Sequence, residues 1–231
     1  MSVFSGAVMI GHGNKNKSEK VPQKYTADVI LAPAERYACP RMADKIVVVG
    51  SSTGGTEALQ EFLRSMPPTM NGIAIVQHLP SDYSDMLAMQ LQGYCNMRIR
   101  VACHGDVMRK GLVLLSPGDR HMLLQRKGQQ FCVELREGPP VRRHRPSVDV
   151  LFRSTANAAG GNAVGVILTG MGDDGAQCML ELRQAGALTI AQDKKSCVVF
   201  GMPAEAIRRG GAMVTLPLNA IAQRVIEACR S

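Results

Sequence analysis

Ile46-Val47-Val48-Val49-Gly50-Ser51-Ser52-Thr53-Gly54-Gly55 is the stretch that decides the fold. Four consecutive β-branched residues with no polar alternation mark a strand buried on both faces. A glycine- and hydroxyl-rich turn comes next, and then Ala58, Leu59, Phe62 and Leu63 recur at helical spacing. The pattern repeats along the chain. Ile73–Val76 ends at Gln77-His78-Leu79-Pro80 and precedes a helical stretch from Tyr83 to Leu91. Leu112–Leu115 is stopped by Ser116-Pro117-Gly118, and His121 to Leu135 alternates like a hairpin around Lys127-Gly128. Ser147 is an N-cap candidate for a helix carrying Val148, Leu151 and Phe152 and closing at Gly160-Gly161. Val164–Leu168 reads as a fourth buried strand, followed by a helix with Ala176, Met179 and Leu180 inward, and Leu188–Ala191 as a fifth. Such alternation predicts an α/β fold: a doubly wound, mostly parallel sheet with helices on both faces, plus a small β-hairpin insertion.

The 231 residues are 45% hydrophobic and 20% charged, the balance of a folded chain rather than a disordered one. The texture divides at Lys45, giving a flexible tail or linker over 1–44 and one domain over 45–231. Asn14–Lys20 is polar and low in complexity, and Pro22, Pro33 and Pro40 interrupt the rest of the tail. Tyr25–Leu31 is the part of the tail expected to order against the domain. No apolar run approaches the roughly 18 residues of a membrane span, and Met1–Gly13 has no positive segment ahead of its short apolar stretch, so neither membrane insertion nor a secretory signal is expected. Seven cysteines with no C-x-x-C pair disfavour a disulfide framework and a structural zinc site and fit a reducing cytoplasm. The net charge of +8 is spread out, and four Tyr, five Phe and no Trp are poor material for stacking bases. Nucleic acid is therefore not the expected partner. The excess charge fits an acidic protein surface or plain solubility.

In a parallel sheet of this kind, ligands bind beyond the carboxyl ends of the strands. After the first strand comes Gly50-Ser51-Ser52-Thr53-Gly54-Gly55; after the second, His78; after the fourth, Thr169-Gly170-Met171-Gly172-Asp173-Asp174-Gly175. A hydroxyl, an imidazole and a carboxylate thus fall on one edge, the inventory of a serine hydrolase. Ser52 centres a G-x-S-x-G between strand and helix. The same loop suits a phosphate cradle, although G-x-G-x-x-G and the P-loop lysine are absent; from this segment alone nucleophile and phosphate- or nucleotide-binding loop stand about even. His78 is the only one of five histidines directly after a parallel-type strand. Asp173 and Asp174 compete for the third role, with helix capping as the plainer use of either. The Asp173-Asp174 pair with glycine-rich loops does not supply the three or four ligands of a metal site, and no cofactor is expected.

Six blocks, taken together, are specific: Ile46–Leu59 (IVVVGSSTGGTEAL), Gln77–Pro80 (QHLP), Ser116–Met122 (SPGDRHM), Gly138–Phe152 (GPPVRRHRPSVDVLF), Ala163–Ala176 (AVGVILTGMGDDGA) and Ala187–Ala206 (ALTIAQDKKSCVVFGMPAEA). In this order and spacing they resemble the catalytic domain of the chemotaxis-specific protein-glutamate methylesterases, the CheB type, from about Lys45 to the C-terminus. The resemblance implies hydrolysis of glutamate γ-methyl esters on the cytoplasmic helices of methyl-accepting chemotaxis receptors, with release of methanol, and in some members deamidation of receptor glutamines. It implies the triad Ser52, His78 and Asp174. It also implies that Thr53, Met171 and His144 line the active-site region, core packing being the plainer use of Met171 and a structural hydrogen bond that of His144.

The mechanism so implied has Ser52 as nucleophile, His78 as base and Asp174 as its orienting acid. Backbone N–H groups around Thr53, Met171 and Gly172 would meet the oxyanion or substrate. The family usually carries a phosphorylatable receiver domain ahead of this part, and 44 residues are too few for one. Residues 1–44 then read as a linker remnant. Smaller departures are Ser51 for a common Ala and Leu79 for a common Met. The run Arg142-Arg143-His144-Arg145 either meets acidic receptor surface or is solvated or internally paired.

Overall fold

The computed structural model describes residues 24–34, 39 and 44–230. Asn14–Lys20, expected as polar tail, and Met1–Gly13, expected to lack a signal, lie outside the described residues. In chain order the elements are β1 (Ile46–Ser51), α1 (Gly55–Arg64), β2 (Ile73–Gln77), α2 (Ser84–Gln92), β3 (Arg98–Val101), β4 (Leu112–Leu115), β5 (His121–Lys127), β6 (Gln130–Arg136), α3 (Val148–Ala159), β7 (Ala163–Ile167), α4 (Ala176–Gln184), β8 (Leu188–Gln192), α5 (Met202–Arg208), β9 (Val214–Leu216) and α6 (Leu218–Arg230).

Seven strands make one parallel sheet in the order β3-β4-β2-β1-β7-β8-β9, and β5 and β6 pair as a separate antiparallel hairpin. All five expected sheet strands are present, flanked by two that the pattern did not announce. β3 and β9 are the edges. Arg98-Ile99-Arg100-Val101 alternates charge with apolar residues and β9 is three residues long, so neither carries the continuous apolar run of an interior strand. Short or charged strands are the usual way to blunt an edge.

The sheet's two faces divide the core. Val47, Val49, Ile73 and Ile75 pack with Leu59, Phe62, Leu91 and Val225 of α1, α2 and α6. Ile46, Val48, Ala74 and Val76 pack with Leu151, Phe152, Met179 and Leu182 of α3 and α4, and with Leu123 and Leu124 of the hairpin. Leu180, expected inward on α4, is half-buried, and Leu182 holds the inner face with Met179. Adjacent residues of β1 therefore point into different cores, which is why it reads as an unbroken apolar run. Each such side chain contributes about 1.5–3 kcal/mol on burial.

The chain runs from β1 to β2, out to the edge at β3 and back to fill in β4 between β3 and β2, then returns to β1's other flank with β7, β8 and β9. The reversal between β1 and β7 is the switch point at which doubly wound sheets open a crevice. Of the tail, Tyr25 bridges Val141, Ala27 is buried, and Arg153 and Arg136 bind the Asp28 carboxylate and the Ile30 carbonyl at 2.7 Å each.

Gly50, the first glycine of G-x-S-x-G, serves close approach rather than turning. A Cβ there would stand 2.2 Å from Val148 Cγ1, at the start of α3. The turn itself falls at Gly54, with φ 75°. Gly50→Ala is expected to destabilise the fold by about 3 kcal/mol through overpacking, read as a lower urea midpoint with unchanged slope.

Candidate active site

The site begins with register. Ser51 of β1 pairs with Gln77 of β2, so Ser52 and His78 each lie one residue past a matched pair, on strands about 4.8 Å apart. The His78 N–H donates to the Ser51 carbonyl at 3.1 Å. Buried Gln77 ties the two strand ends. It accepts from Ser51 Oγ at 2.6 Å and donates through Nε2 to the carbonyls of Ser52 and His78 at 2.9 and 3.3 Å. Gly55 makes room for this, since a Cβ there would stand 2.1 Å from Gln77 Oε1.

From the other flank, the Ser52 N–H donates to the Thr169 carbonyl at 3.0 Å, and the Thr169 N–H to Gln192 Oε1 of β8 at 2.7 Å. Gly170 lies directly against the serine, because a Cβ on it would stand 2.8 Å from Ser52 Cβ. Ser52 is thus fixed at the switch point by strands on both sides. Gln77 and Gln192 were not singled out in the sequence. A glutamine ending a largely apolar, buried strand, as each does, is the signal that was available.

His78 and Asp174, 96 residues apart in sequence, meet with Nε2 2.8 Å from Asp174 Oδ2. Asp174 is buried and accepts three further hydrogen bonds: Ser147 Oγ at 2.8 Å, Val148 N–H at 2.7 Å and Asp149 N–H at 3.0 Å. Burial alone would raise its pKa. The hydrogen bond and charge of His78, with the donors at the start of α3, outweigh that and bring the carboxyl below the ordinary carboxylate value. Asp174 therefore meets both His78 and the free N–H groups of a helix start, and that helix is α3 rather than α4. Ser147 does occupy the N-cap position, but its hydroxyl serves Asp174 instead of its own helix. Asp173 is turned elsewhere, to Lys24 at 2.8 Å and Arg142 at 3.5 Å.

An ionised Asp174 at Nε2 places a His78 proton on that nitrogen, so that in the neutral ring Nδ1 is the acceptor. Nδ1 is buried and, among the described residues, has no hydrogen-bond partner. Among the described residues His144 does not find the side-chain hydrogen bond that was its plainer expectation. Its ring lies flat on His78, centroids 3.7 Å apart and planes within 5°. Burial, then the neighbouring His78, lower the His144 pKa and favour its neutral form.

Met171 is 71% exposed, so core packing does not explain it. Gly172 is held at φ 91° with open space around it. Among the described residues, none accepts a hydrogen bond from the amide N–H of Thr53, Met171 or Gly172. The arginine run is split: Arg142 is internally paired, at 3.0 Å to Asp149, while Arg143 and Arg145 are exposed beside the pocket that also takes in His78, His144 and Pro80. Beyond Thr53, a groove of about 460 Å³ runs past Gly54 and Val198 and is bordered by Glu57 and Glu61.

These features match a known group of proteins. A family model described as CheB methylesterase matches residues 47–225. A protein-glutamate methylesterase/protein-glutamine glutaminase of Xanthomonas campestris is 53% identical over 203 residues, 88% of this chain and 58% of that relative. One from Geobacter metallireducens is 52% identical over 211 residues, 91% of this chain and 59% of the relative. The catalytic domain of the Thermotoga maritima CheB methylesterase superposes with a TM-score of 0.76 at 34% identity, over 80% of this chain and 98% of that one. The chain spans a little under three-fifths of the length of these curated relatives. It belongs to the CheB methylesterase family.

Proposed function

We propose that this chain is a protein-glutamate methylesterase of serine-hydrolase type. Its substrates are glutamate γ-methyl esters on the cytoplasmic helices of chemoreceptors, and glutamine side chains are a second substrate of the same acyl-transfer chemistry. The reading is supported by the names and identities of its relatives. It is carried by one observation: a half-buried histidine held by a carboxylate at one nitrogen, with its other nitrogen buried and unpartnered among the described residues, beside a serine on the adjacent strand end.

In this mechanism Ser52 Oγ attacks the ester carbonyl carbon while His78 Nδ1 takes its proton. The tetrahedral oxyanion is met by the amide N–H groups of Thr53, Met171 and Gly172; one such donor is worth about 3 kcal/mol. Collapse expels methoxide, which takes the proton from His78 and leaves as methanol. Water, deprotonated by His78, then attacks the glutamyl ester of Ser52 and regenerates the hydroxyl. Asp174 holds the ring and its tautomer throughout. His144, neutral, sets the ring plane. Two imidazolium rings at that separation would repel by several kcal/mol even at an effective dielectric of about 20, so a neutral His144 leaves the proton to His78.

The basic Arg143 and Arg145 on one side of the serine and the acidic Glu57 and Glu61 on the other fit a helix carrying both signs of charge. The acidic pair also weighs against an anion in the Gly50–Gly55 loop, as the phosphate- or nucleotide-binding alternative requires. No helix among the described residues is long and apolar enough to cross a membrane.

Ser52→Ala is expected to lower methanol release from a methylated receptor fragment by roughly 10³-fold or more. Release undiminished in that variant contradicts the nucleophile. His144→Phe, which keeps a flat ring over His78, should hold kcat within about threefold, whereas His144→Ala should lose about tenfold in kcat with KM little changed. Equal losses in the two variants would rule out stacking as the function of that ring.

A further inference from the structure

The mechanism leaves one fully buried carboxylate without a part. Asp149 is 0% exposed and sits in the first turn of α3. Its backbone N–H donates to Asp174 Oδ1 at 3.0 Å, while its own Oδ1 accepts the Cys178 N–H of α4 at 2.9 Å. α4 opens at Ala176, two residues after Asp174. The two helices therefore exchange caps: Asp174 satisfies N–H groups at the start of α3, and Asp149 satisfies one at the start of α4. Asp149 thus grips the Asp174 loop twice, through a donor to its carboxylate and an acceptor for the helix behind it.

This places two buried carboxylates side by side, a costly arrangement without a cation. Arg142 supplies it, with Nε 3.0 Å from Asp149 Oδ2 and its side chain only 13% exposed. Its backbone is held in the left-handed region at φ 51°, as is that of Arg143 at φ 72°, a conformation that a non-glycine residue keeps only when its surroundings enforce it. The enforcing contacts are the Asp149 pair, a 3.5 Å approach to Asp173, and the Arg142 N–H on the Tyr25 carbonyl at 2.9 Å.

Resting on the assignment of Asp174 as the triad acid, we propose that Asp149 and Arg142 are a positioning pair. Asp149 fixes Asp174 by tying α3 to α4, and Arg142 cancels the charge that Asp149 brings beside it. The pair then adds no net charge beside Asp174 for His78 to sense.

Several other ionisable groups face the pair, Asp174 or His78: buried His121 feels the Asp174 charge, and Arg143 and Arg145 stand exposed beside His78. On the loop into α4, Asp173 is held by Lys24 as well as by Arg142. On α4, Cys178 is buried with its thiol pushed well up, first by burial and then by Asp149 and Glu181. Glu181 is paired with Arg153 of α3 at 2.6 Å. His78 and His144 lie beyond Asp174. Even with Arg142 in place, burial and the Asp174 charge push the Asp149 pKa up to about 6, in keeping with a carboxylate that depends on its cation.

The test tracks the ring C–H resonances of His78 against pH, together with kcat and KM for ester hydrolysis. It uses the wild type, Asp149→Asn, Arg142→Gln, Arg142→Lys and the double variant Asp149→Asn/Arg142→Gln, each with a thermal melt to verify folding. Asp149→Asn leaves an uncancelled cation and should move the ring midpoint to lower pH by about half a unit or more. Above the pH at which Asp149 itself protonates, Arg142→Gln leaves an uncancelled anion, and proton uptake should start at higher pH by a similar amount. Each should lower kcat about tenfold with KM within about twofold, while the double variant regains kcat to within about threefold of the wild type. Arg142→Lys keeps the charge and should leave the midpoint in place. Coinciding midpoints throughout, shifts of the same sign in the two single variants, or a double whose kcat loss is the product of the single losses would overturn the pair. The ring titration needs no turnover, so those outcomes stand apart from failure of the esterase assignment, which would appear as wild-type protein releasing no methanol.

Discussion

The structure turns on one carboxylate placed at the N-terminus of a helix that is not its own. Asp174 ends the loop after β7, yet three of its four hydrogen bonds come from Ser147, Val148 and Asp149 at the start of α3. Free N–H groups and the positive end of the helix dipole favour an anion there, so the group can be fully buried and still ionised. The fourth bond is to His78. Everything that brings α3 close to the end of β1 therefore acts on the site: the bare Gly50 against Val148, the apolar face of α3 in the core it shares with α4, and the exchanged cap through Asp149. Packing and chemistry meet in the same contacts.

Much of this was legible in the residues alone. A continuous apolar run identified each interior strand because such strands face two cores, and the strand-end rule then singled out Ser52, His78 and the Asp173-Asp174 pair. What periodicity could not decide was which aspartate serves His78. That depends on where α3 begins in space, and the nearest local signal, an aspartate before a helix, predicted capping of α4. Ser147 misled in the same way: as an N-cap candidate it was correctly placed, but its hydroxyl crosses to another loop. Gln77, Gln192 and Asp149 act on partners distant in sequence, 25 residues for Gln77 to Ser52, 23 for Gln192 to Thr169 and 29 for Asp149 to Cys178. Arg142 reaches Tyr25 and Asp173 besides its near neighbour Asp149. Contacts of this kind leave no periodic trace. The edge strands β3 and β9 escaped for a different reason, being exposed on one side and short.

The segment ahead of the domain is not idle where it is described. Lys24 pairs with Asp173, the neighbour of Asp174, and Tyr25 accepts from the backbone of Arg142. Asp28 and the Ile30 carbonyl take arginines from α3 and β6. The first two of these contacts fall on the loops that carry His144 and Asp174 rather than on the far side of the sheet. Surface ion pairs of this type contribute little individually, but here they add to a loop whose backbone is held at positive φ.

The central claim is that Ser52 is a nucleophile activated by His78. The most direct measurement is covalent labelling with a fluorophosphonate, followed by mass mapping of the modified peptide. The account predicts a single adduct on Ser52 that forms in the wild type and is lost in His78→Gln. An adduct on a different residue, or undiminished labelling of Ser52 without His78, would contradict it.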